Sequence, residues 1–287
     1  MDAIFNIFKE KGFTSNDVVS ICKKIFNTGK VGHAGTLDPD ATGVLLVGVG
    51  KGTKLTEYLM EYGKTYIFQM QFGLATDTLD LSGKVIAKSK SDYDKDKLLE
   101  ILNDLRGKTI SQVPPMYSAI KIKGKRLYEY ARENIEVERK AREVTIYDIN
   151  PIYLLENSAI IKVKCSKGTY IRSLVADIAK DLNRCAYMKS LIRVESAGFK
   201  IEDSIKLESL KKLSNFSDVS YSLYDSLSYM DSIDLDNDLY KKVSNGSIIY
   251  LKDKDDKDLV RVSCDDKFIG VGEIKQSKLK MKKVFNV

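Results

Sequence analysis

An aspartate within a glycine-rich run is the residue of this chain whose surroundings best suit chemistry. The run from Gly32 to Gly43 reads GHAGTLDPDATG, with Asp38 and Pro39 near its middle. A carboxylate can act as a covalent nucleophile or stabilise positive charge that develops at a carbon atom. Composition alone also allows a purely structural role, because Asp-Pro is typical of a turn or of a helix N-terminus.

Other common active-site chemistries find little support in the sequence. His33 is the only histidine, which leaves little room for a Ser-His-Asp or Cys-His mechanism. The four cysteines are widely spaced and form no C-x-x-C pair, so we expect reduced thiols and no metal site. The glycines around Lys51 suggest a phosphate loop, but Gly52 stands where that loop requires Ser or Thr.

The positive charge of the chain is concentrated in one segment. The net charge is +7, yet residues 221–287 hold 12 basic and 12 acidic residues and contribute none of it. The segment 106–142 holds 10 basic and 4 acidic residues, a net +6. Such a segment is a candidate contact for a polyanion. A solvated basic face without a partner is the alternative that charge alone leaves open.

Sequence patterns also predict the elements that would position these residues. Capping signals and amphipathic periodicity predict helices at 14–29, 55–62, 94–105 and 170–182. Buried or alternating runs predict strands at 44–49, 66–72, 144–149, 159–165, 247–251, 259–264 and 268–274. Strands and helices without strict βαβ repetition indicate an α+β fold with a mixed sheet.

Length and composition predict two domains. The chain has 287 residues, 43% of them apolar, which suffices for one large domain with a small companion. A Ser- and Asp-rich stretch at 202–232 places their boundary between domains 1–225 and 226–287. The longest uninterrupted apolar run, Val44 to Val47, is too short to cross a bilayer. We therefore expect a soluble protein that stays in the cytoplasm.

The run around Asp38 is similar to the G-H-x-G-x-L-D-P-x-A-x-G signature of the bacterial tRNA pseudouridine synthase B family. Other segments resemble further motifs of that family in matching order and spacing; they are 64–66, 72–83, 112–129, 168–174 and 186–193. One departure is Glu10, which stands where the family usually has proline. The resemblance implies an isomerase that converts uridine to pseudouridine in the T-loop of tRNA, at position 55, without a cofactor.

The resemblance also implies a set of site residues around the reacting base. It assigns the carboxylate chemistry to Asp38, and Arg172 is expected to pair with it and lower its pKa. Tyr66 is expected to stack on the extracted uracil, and Tyr170 and Leu191 to complete the pocket.

Further residues are expected at the edge of this site and on the RNA. The family resemblance places His33 in the RNA, where the flipped base had been. Asp80 is expected to form a hydrogen bond in the pocket, through Tyr170 or Arg172. An insertion at 107–142 is expected to grip the RNA with four basic residues, Lys121, Lys123, Lys125 and Arg126.

For the whole chain, the family implies a bent, largely antiparallel sheet with flanking helices and a small PUA-like β domain at 226–287. The expected partner is the T-arm and T-loop of tRNA, bound by a monomer without an obligatory protein partner or a membrane. One rival is the guide-RNA-dependent catalytic subunit of archaeal and eukaryotic ribonucleoproteins, against which the insertion argues. The other is a non-enzymatic RNA chaperone, against which the intact Asp38, Tyr66 and Arg172 argue.

The charge map yields a prediction about RNA binding. Replacing the four basic residues Lys121, Lys123, Lys125 and Arg126 with Ala should weaken tRNA affinity. It should also flatten the log–log salt dependence of binding by roughly two units or more, because fewer counterions are released. The rate at saturating tRNA should fall much less. An unchanged salt slope, with the fold intact by circular dichroism, would place the RNA elsewhere.

Overall fold

A large mixed sheet and a smaller second sheet contain most strands of the protein. The computed structural model describes residues 1–122, 124–133, 135–252 and 254–285. In these ranges the strands are β1 (Ala3–Lys9), β2 (Val31–His33), β3 (Thr42–Val49), β4 (Lys64–Phe72), β5 (Leu74–Thr76), β6 (Val85–Lys88), β7 (Thr109–Gln112), β8 (Lys121–Ile122), β9 (Lys125–Arg126), β10 (Arg142–Leu154), β11 (Ser158–Cys165), β12 (Ala186–Ser196), β13 (Phe199–Lys200), β14 (Ile205–Lys206), β15 (Ser220–Tyr221), β16 (Asp231–Leu235), β17 (Ile249–Tyr250), β18 (Lys257–Cys264), β19 (Lys267–Lys275) and β20 (Lys278–Val284). The α-helices are α1 (Ser15–Ile25), α2 (Thr56–Glu61), α3 (Lys95–Leu105), α4 (Leu127–Arg132), α5 (Ile171–Asp181), α6 (Leu207–Lys211) and α7 (Tyr240–Ser244).

The large sheet has 11 strands, and its main path runs β14-β1-β3-β12-β4-β11-β10-β7. Only β14 with β1 and β3 with β12 pair in parallel, and every other described pair in this sheet is antiparallel. The expected fold class is therefore confirmed: a mixed, largely antiparallel sheet with flanking helices. The strands β3, β12 and β4 are adjacent in its middle, and β4 and β12 each contribute two side chains to the cavity described below.

Alternation along β4 explains how the sheet is covered. Tyr66, Phe68, Met70 and Phe72 are buried, while the residues between them are partly exposed, as the period of a strand requires. Helices α3 and α5 cover this part of the sheet with their apolar stripes. Helix α1 covers the β1–β3 part, and a capping box between Thr14 and Asp17 starts it.

The second sheet contains five strands in the order β16-β18-β19-β20-β17. Residues 225 and 226 fall in the connection between β15 and β16. The division into two domains stays a prediction. One apolar cluster contains residues of both sheets, so the two sheets share part of their core. In that cluster Phe268 and Phe285 pack with Ile4 and Leu55. None of the helices in the described part of the chain combines the length and apolarity that crossing a bilayer requires.

Some local expectations differ from the structure. The glycine-rich segment 32–43 begins inside a strand, because Gly32 and His33 pair with β3 as the end of β2. Asp38 and Pro39 start no helix; they form a turn, in which the Ala41 amide donates to the Asp38 carbonyl at 3.1 Å. Helix α1 ends at Ile25 rather than near Gly29, because Asn27 turns the backbone to a left-handed φ of 47°.

At Gly43 the close approach of a neighbouring strand leaves no room for a side chain. Its φ of +105° lies in the left-handed region, and a Cβ there would lie 2.2 Å from the Arg193 carbonyl oxygen of the neighbouring strand. Glycine therefore permits β3 and β12 to approach each other immediately after the turn that contains Asp38.

Replacing Gly43 with Ala should destabilise the protein through both backbone strain and this steric conflict. We expect a loss well above about 1 kcal/mol in the free energy of unfolding, measured by urea denaturation. Gly198→Ala is the matched control: Gly198 has a φ of +83° but open space around it. Equal losses in the two variants would show that the close approach to Arg193 contributes nothing.

Candidate active site

A cavity of about 550 Å³ lies where the central strands meet α5 and the loop after β2. Its lining comes from the turn after β2, the end of α2, β4, the insertion, the start of β10, the loop before α5, α5 itself and β12. The lining residues are Gly35, Thr36, Leu37, Asp38, Met60, Glu61, Lys64, Tyr66, Ser118, Ala119, Arg142, Glu143, Val144, Lys167, Gly168, Thr169, Tyr170, Ile171, Arg172, Leu191 and Arg193.

Asp38 and Arg172 form a two-point ion pair at the wall of this cavity. Arg172 Nε lies 3.0 Å from Asp38 Oδ2, and Arg172 Nη2 donates to Asp38 Oδ1 at 3.1 Å. The guanidinium also donates to the Thr78 carbonyl at 3.2 Å and the Tyr117 carbonyl at 2.8 Å. Because Arg172 is buried and its planar fork is engaged on several sides, the carboxylate is held in one orientation.

The turn that carries Asp38 is anchored from the opposite side by α1 and β1. Ser15 Oγ accepts from the Leu37 amide at 2.9 Å and donates to the Leu37 carbonyl at 3.2 Å. The Lys9 ammonium, fully buried, donates to the Phe13 carbonyl at 2.7 Å and the Pro39 carbonyl at 3.1 Å. Burial lowers the pKa of Lys9 to about 8, and the negative charge of Asp38 opposes that shift.

Asp80 lies behind Arg172, outside the cavity lining. Its Oδ2 is 3.7 Å from Arg172 Nη1. Of the two partners expected for Asp80, Tyr170 and Arg172, the structure therefore brings Arg172 close to it. Its Oδ1 accepts from Thr78 Oγ1 at 2.6 Å and from the Ser82 amide at 3.0 Å. Asp80 thus fixes the turn after β5 and holds a second negative charge near the guanidinium.

Tyr66, Tyr170 and Leu191 form walls of the same cavity. Tyr66 is buried on β4, and Leu191 on β12 lies opposite Phe68 in the strand pairing. Tyr170 immediately precedes α5. Its amide donates to Gln112 Oε1 at 2.8 Å, and its carbonyl accepts from Gln112 Nε2 at 3.1 Å. The site therefore combines a carboxylate with two aromatic rings and an aliphatic side chain.

The electrostatics of Asp38 differ from the expectation. Burial raises the pKa of Asp38 above its usual range, and the Arg172 guanidinium opposes this without outweighing it. The negative charge of Asp80 raises the pKa of Asp38 further. Burial likewise raises the pKa values of Tyr66 and Tyr170, so both hydroxyls are protonated at neutral pH.

Several expected residues lie away from the cavity. His33 ends β2 and is not among the lining residues; its Nδ1 is buried without a hydrogen-bond partner. Lys121, Lys125 and Arg126 lie on the short β8–β9 hairpin, while Lys123 lies outside the described residues. Lys125 forms an ion pair with Glu133, so part of the charge of this hairpin is already compensated.

Three buried polar residues of the cavity lining were not among the site residues expected from the sequence: Lys64, Ser118 and Arg193. Lys64 donates to the Met60 and Tyr62 carbonyls, each at 2.6 Å, and burial lowers its pKa to about 8. Each lies in a segment that resembles a family motif. The available signal was therefore their position in sequence, close to Tyr66, Tyr117 and Leu191 respectively. Within the described ranges, no three His, Cys, Asp or Glu residues group as metal ligands would.

Comparison with known protein families identifies the class to which this chain belongs. Residues 23–171 match the TruB family pseudouridylate synthase (N terminal domain), and residues 232–285 match Pseudouridine synthase II TruB, C-terminal. The chain belongs to the TruB family of pseudouridylate synthases, and is therefore an isomerase.

Relatives of similar length carry one name. Proteins called tRNA pseudouridine synthase B from Caldanaerobacter subterraneus subsp. tengcongensis and Clostridium novyi are 42% and 43% identical to this chain. In each case 99% of both chains is covered. The protein of that name from Staphylococcus aureus is 39% identical, with the same coverage.

Solved structures share the fold. A chain in an H/ACA RNP bound to a substrate RNA containing 2'-deoxyuridine superimposes with a TM-score of 0.77 at 23% identity, over 99% of this chain and 85% of that one. A chain in a Cbf5-Nop10-Gar1 complex gives 0.75 at 25% identity, over 98% and 84%.

The charges around Asp38 lead to a prediction about pH. If the reaction needs the ionised carboxylate, kcat/KM should fall as pH drops through the raised pKa of Asp38, so the acid limb should lie above the usual aspartate range. Asp80→Asn removes a negative charge that raises this pKa, and should move the acid limb to lower pH. Asp77→Asn, which changes an exposed carboxylate on the same turn, should leave it in place. A limb that moves upward in Asp80→Asn would contradict this account.

Proposed function

We propose that this protein isomerises uridine to pseudouridine in the T-loop of tRNA, at position 55, with Asp38 as the reacting carboxylate. The observation that carries the proposal is the Asp38–Arg172 ion pair at the wall of the cavity. The proteins named tRNA pseudouridine synthase B, at 39–43% identity over nearly the whole chain, support tRNA as the substrate. The cytoplasm is the compartment we propose for this reaction.

The chemistry requires only groups that the cavity provides. The N1–C1′ bond of uridine breaks, the uracil turns, and a C5–C1′ bond forms. The proton lost from C5 is balanced by a proton gained at N1. Atoms and electrons balance within the nucleotide, so no redox cofactor is needed. Asp38 can attack C1′, add to the base at C6, or remove a sugar proton toward a glycal.

A uridine in a folded loop must be extracted before Asp38 can reach it. Tyr66 is proposed to stack on the extracted uracil, a contact worth roughly 1–3 kcal/mol per base. Tyr170 and Leu191 would limit the movement of the ring on its other sides. His33, which lies away from the lining, is proposed to contact the RNA at the place the base has left.

The basic insertion is the proposed grip on the T-arm. The β8–β9 hairpin pairs with no other described strand, so it is not part of the large sheet. Arg126 and Arg132 both lie over the Tyr128 ring, at 5.8 and 5.4 Å from its centroid. Aromatic rings beside guanidinium groups suit a single-stranded loop, whose bases stack and whose phosphates need cations.

A chain that works inside a ribonucleoprotein is the rival function, since the solved neighbours come from an H/ACA RNP and a Cbf5-Nop10-Gar1 complex. Sequence favours the stand-alone enzyme, because identity to those chains is 23% and 25%, well below the 39–43% of the relatives named for tRNA. We propose a monomer that needs neither guide RNA nor a protein partner.

The test is mass mapping of pseudouridine in an unmodified tRNA transcript incubated with the purified protein and no guide RNA. Conversion at position 55 is the expected result. Asp38→Asn should lower the single-turnover rate by at least about 10³-fold, while tRNA affinity falls far less. Asp40→Asn is the matched control, because Asp40 is an exposed carboxylate two residues away. Substantial conversion by Asp38→Asn would refute the assignment, and conversion only with added guide RNA would favour the rival.

A further inference from the structure

Arg193 occupies the centre of the large sheet with a charge that packing does not explain. It lies on β12, directly opposite Tyr66 of β4 and beside Gly43 of β3. Only 1% of its surface is exposed, which makes it one of the largest fully buried side chains among the described residues. It also lines the cavity that contains Asp38.

Its guanidinium binds both ends of the segment that carries Asp38. Nη2 donates to the Gly35 carbonyl at 3.1 Å and Nη1 to the Thr36 carbonyl at 3.4 Å, on the approach to Asp38. Nε donates to the Val44 carbonyl at 2.7 Å, where the chain has entered β3. One planar group thus ties the beginning and the end of the turn to the central strand.

The described part of the chain places no carboxylate against this cation. Within the described residues no carboxylate lies at ion-pair distance from Arg193, and its partners are backbone carbonyls. Burying an unpaired charge is expensive, and an apolar residue of similar volume commonly suits a core better. A charge kept at such a position therefore calls for an explanation beyond stability.

The charge also acts on the neighbouring aromatic residue. Arg193 and Tyr66 are partners in the pairing of β12 with β4, and the guanidinium charge opposes the rise that burial causes in the pKa of Tyr66. Burial lowers the pKa values of Lys64 and His33, and the charge of Arg193 lowers them further. The same guanidinium thus binds the turn that holds the carboxylate and acts electrostatically on the Tyr66 hydroxyl.

We infer that Arg193 is a positioning residue of the isomerisation, which fixes the Asp38 turn and the Tyr66 hydroxyl relative to each other across the cavity. The inference rests on the proposed function for its substrate. It predicts that both groups shift when the fork is lost, even if a positive charge remains. Misplacement by about 1 Å can lower a rate by about 10²-fold.

The test begins with Arg193→Lys, which keeps the charge and removes the planar fork. We expect kcat on tRNA to fall by about 10²-fold with little change in tRNA affinity, at a temperature well below the unfolding midpoint of the variant. Arg261→Lys is the matched control. Arg261 also donates to two backbone carbonyls, those of Met230 and Tyr224, but lies away from the cavity. If Arg261→Lys loses as much kcat as Arg193→Lys, a general structural effect explains both and the inference fails.

A double-mutant cycle with Tyr66→Phe tests the link to the hydroxyl. If Arg193 acts partly through that hydroxyl, the two substitutions together should lower kcat by less than the product of their separate effects. Effects that multiply would overturn this part of the inference.

A readout without substrate separates this inference from the proposed function. Hydrogen exchange of the amides in residues 34–41 should be faster in Arg193→Lys than in the parent protein, because the turn loses its tie to β12. Unchanged exchange would overturn the inference whatever the RNA assays show. If the parent protein makes no pseudouridine in tRNA but exchange increases in Arg193→Lys, the proposed function fails, while the tie from Arg193 to the Asp38 turn stands.

Discussion

The burial of charge around Asp38 is the constraint on which the rest of the structure depends. A carboxylate removed from water becomes harder to ionise, and the Arg172 guanidinium opposes this only if its own donors are satisfied. The carbonyls of Thr78 and Tyr117 satisfy them, which ties the turn after β5 and the insertion to the site. The fold therefore brings backbone carbonyls from distant segments to the cavity wall.

Hydrophobic periodicity in the sequence predicted the helices and strands that bury one face against the core. The capping residues Thr14 and Asp17 indicate the start of helix α1, and alternating apolar residues indicate β4. Strand β12 gave no comparable signal, because Lys189 and Arg193 interrupt its pattern and a register shift falls between Met188 and Ser190. Its place between β3 and β4 is decided by pairings distant in sequence, which periodicity does not register.

The residues of the candidate site were predictable where a family motif specifies the side chain. They were not predictable where a side chain is held by backbone carbonyls. Asp38, Tyr66, Arg172 and Leu191 stood out by resemblance and lie together. The direction of the Asp38 pKa did not follow from its partner alone, because the degree of burial decides it. Arg193 was missed because its partners are backbone carbonyls. Every residue has a backbone carbonyl, so the sequence does not show which ones a side chain will bind.

The Asp38–Arg172 pair joins residues 134 positions apart, and the contact from Arg193 to Gly35 spans 158. During synthesis, the ribosome must add the whole of that interval after Asp38 has been made, which takes on the order of 10 s at typical elongation rates. Until α5 and β12 have left the exit tunnel, the turn of the nascent chain lacks its contacts with Arg172 and Arg193 and can be held only by Ser15 and Lys9. Competence for the reaction thus arises late, after most of the polypeptide has been translated.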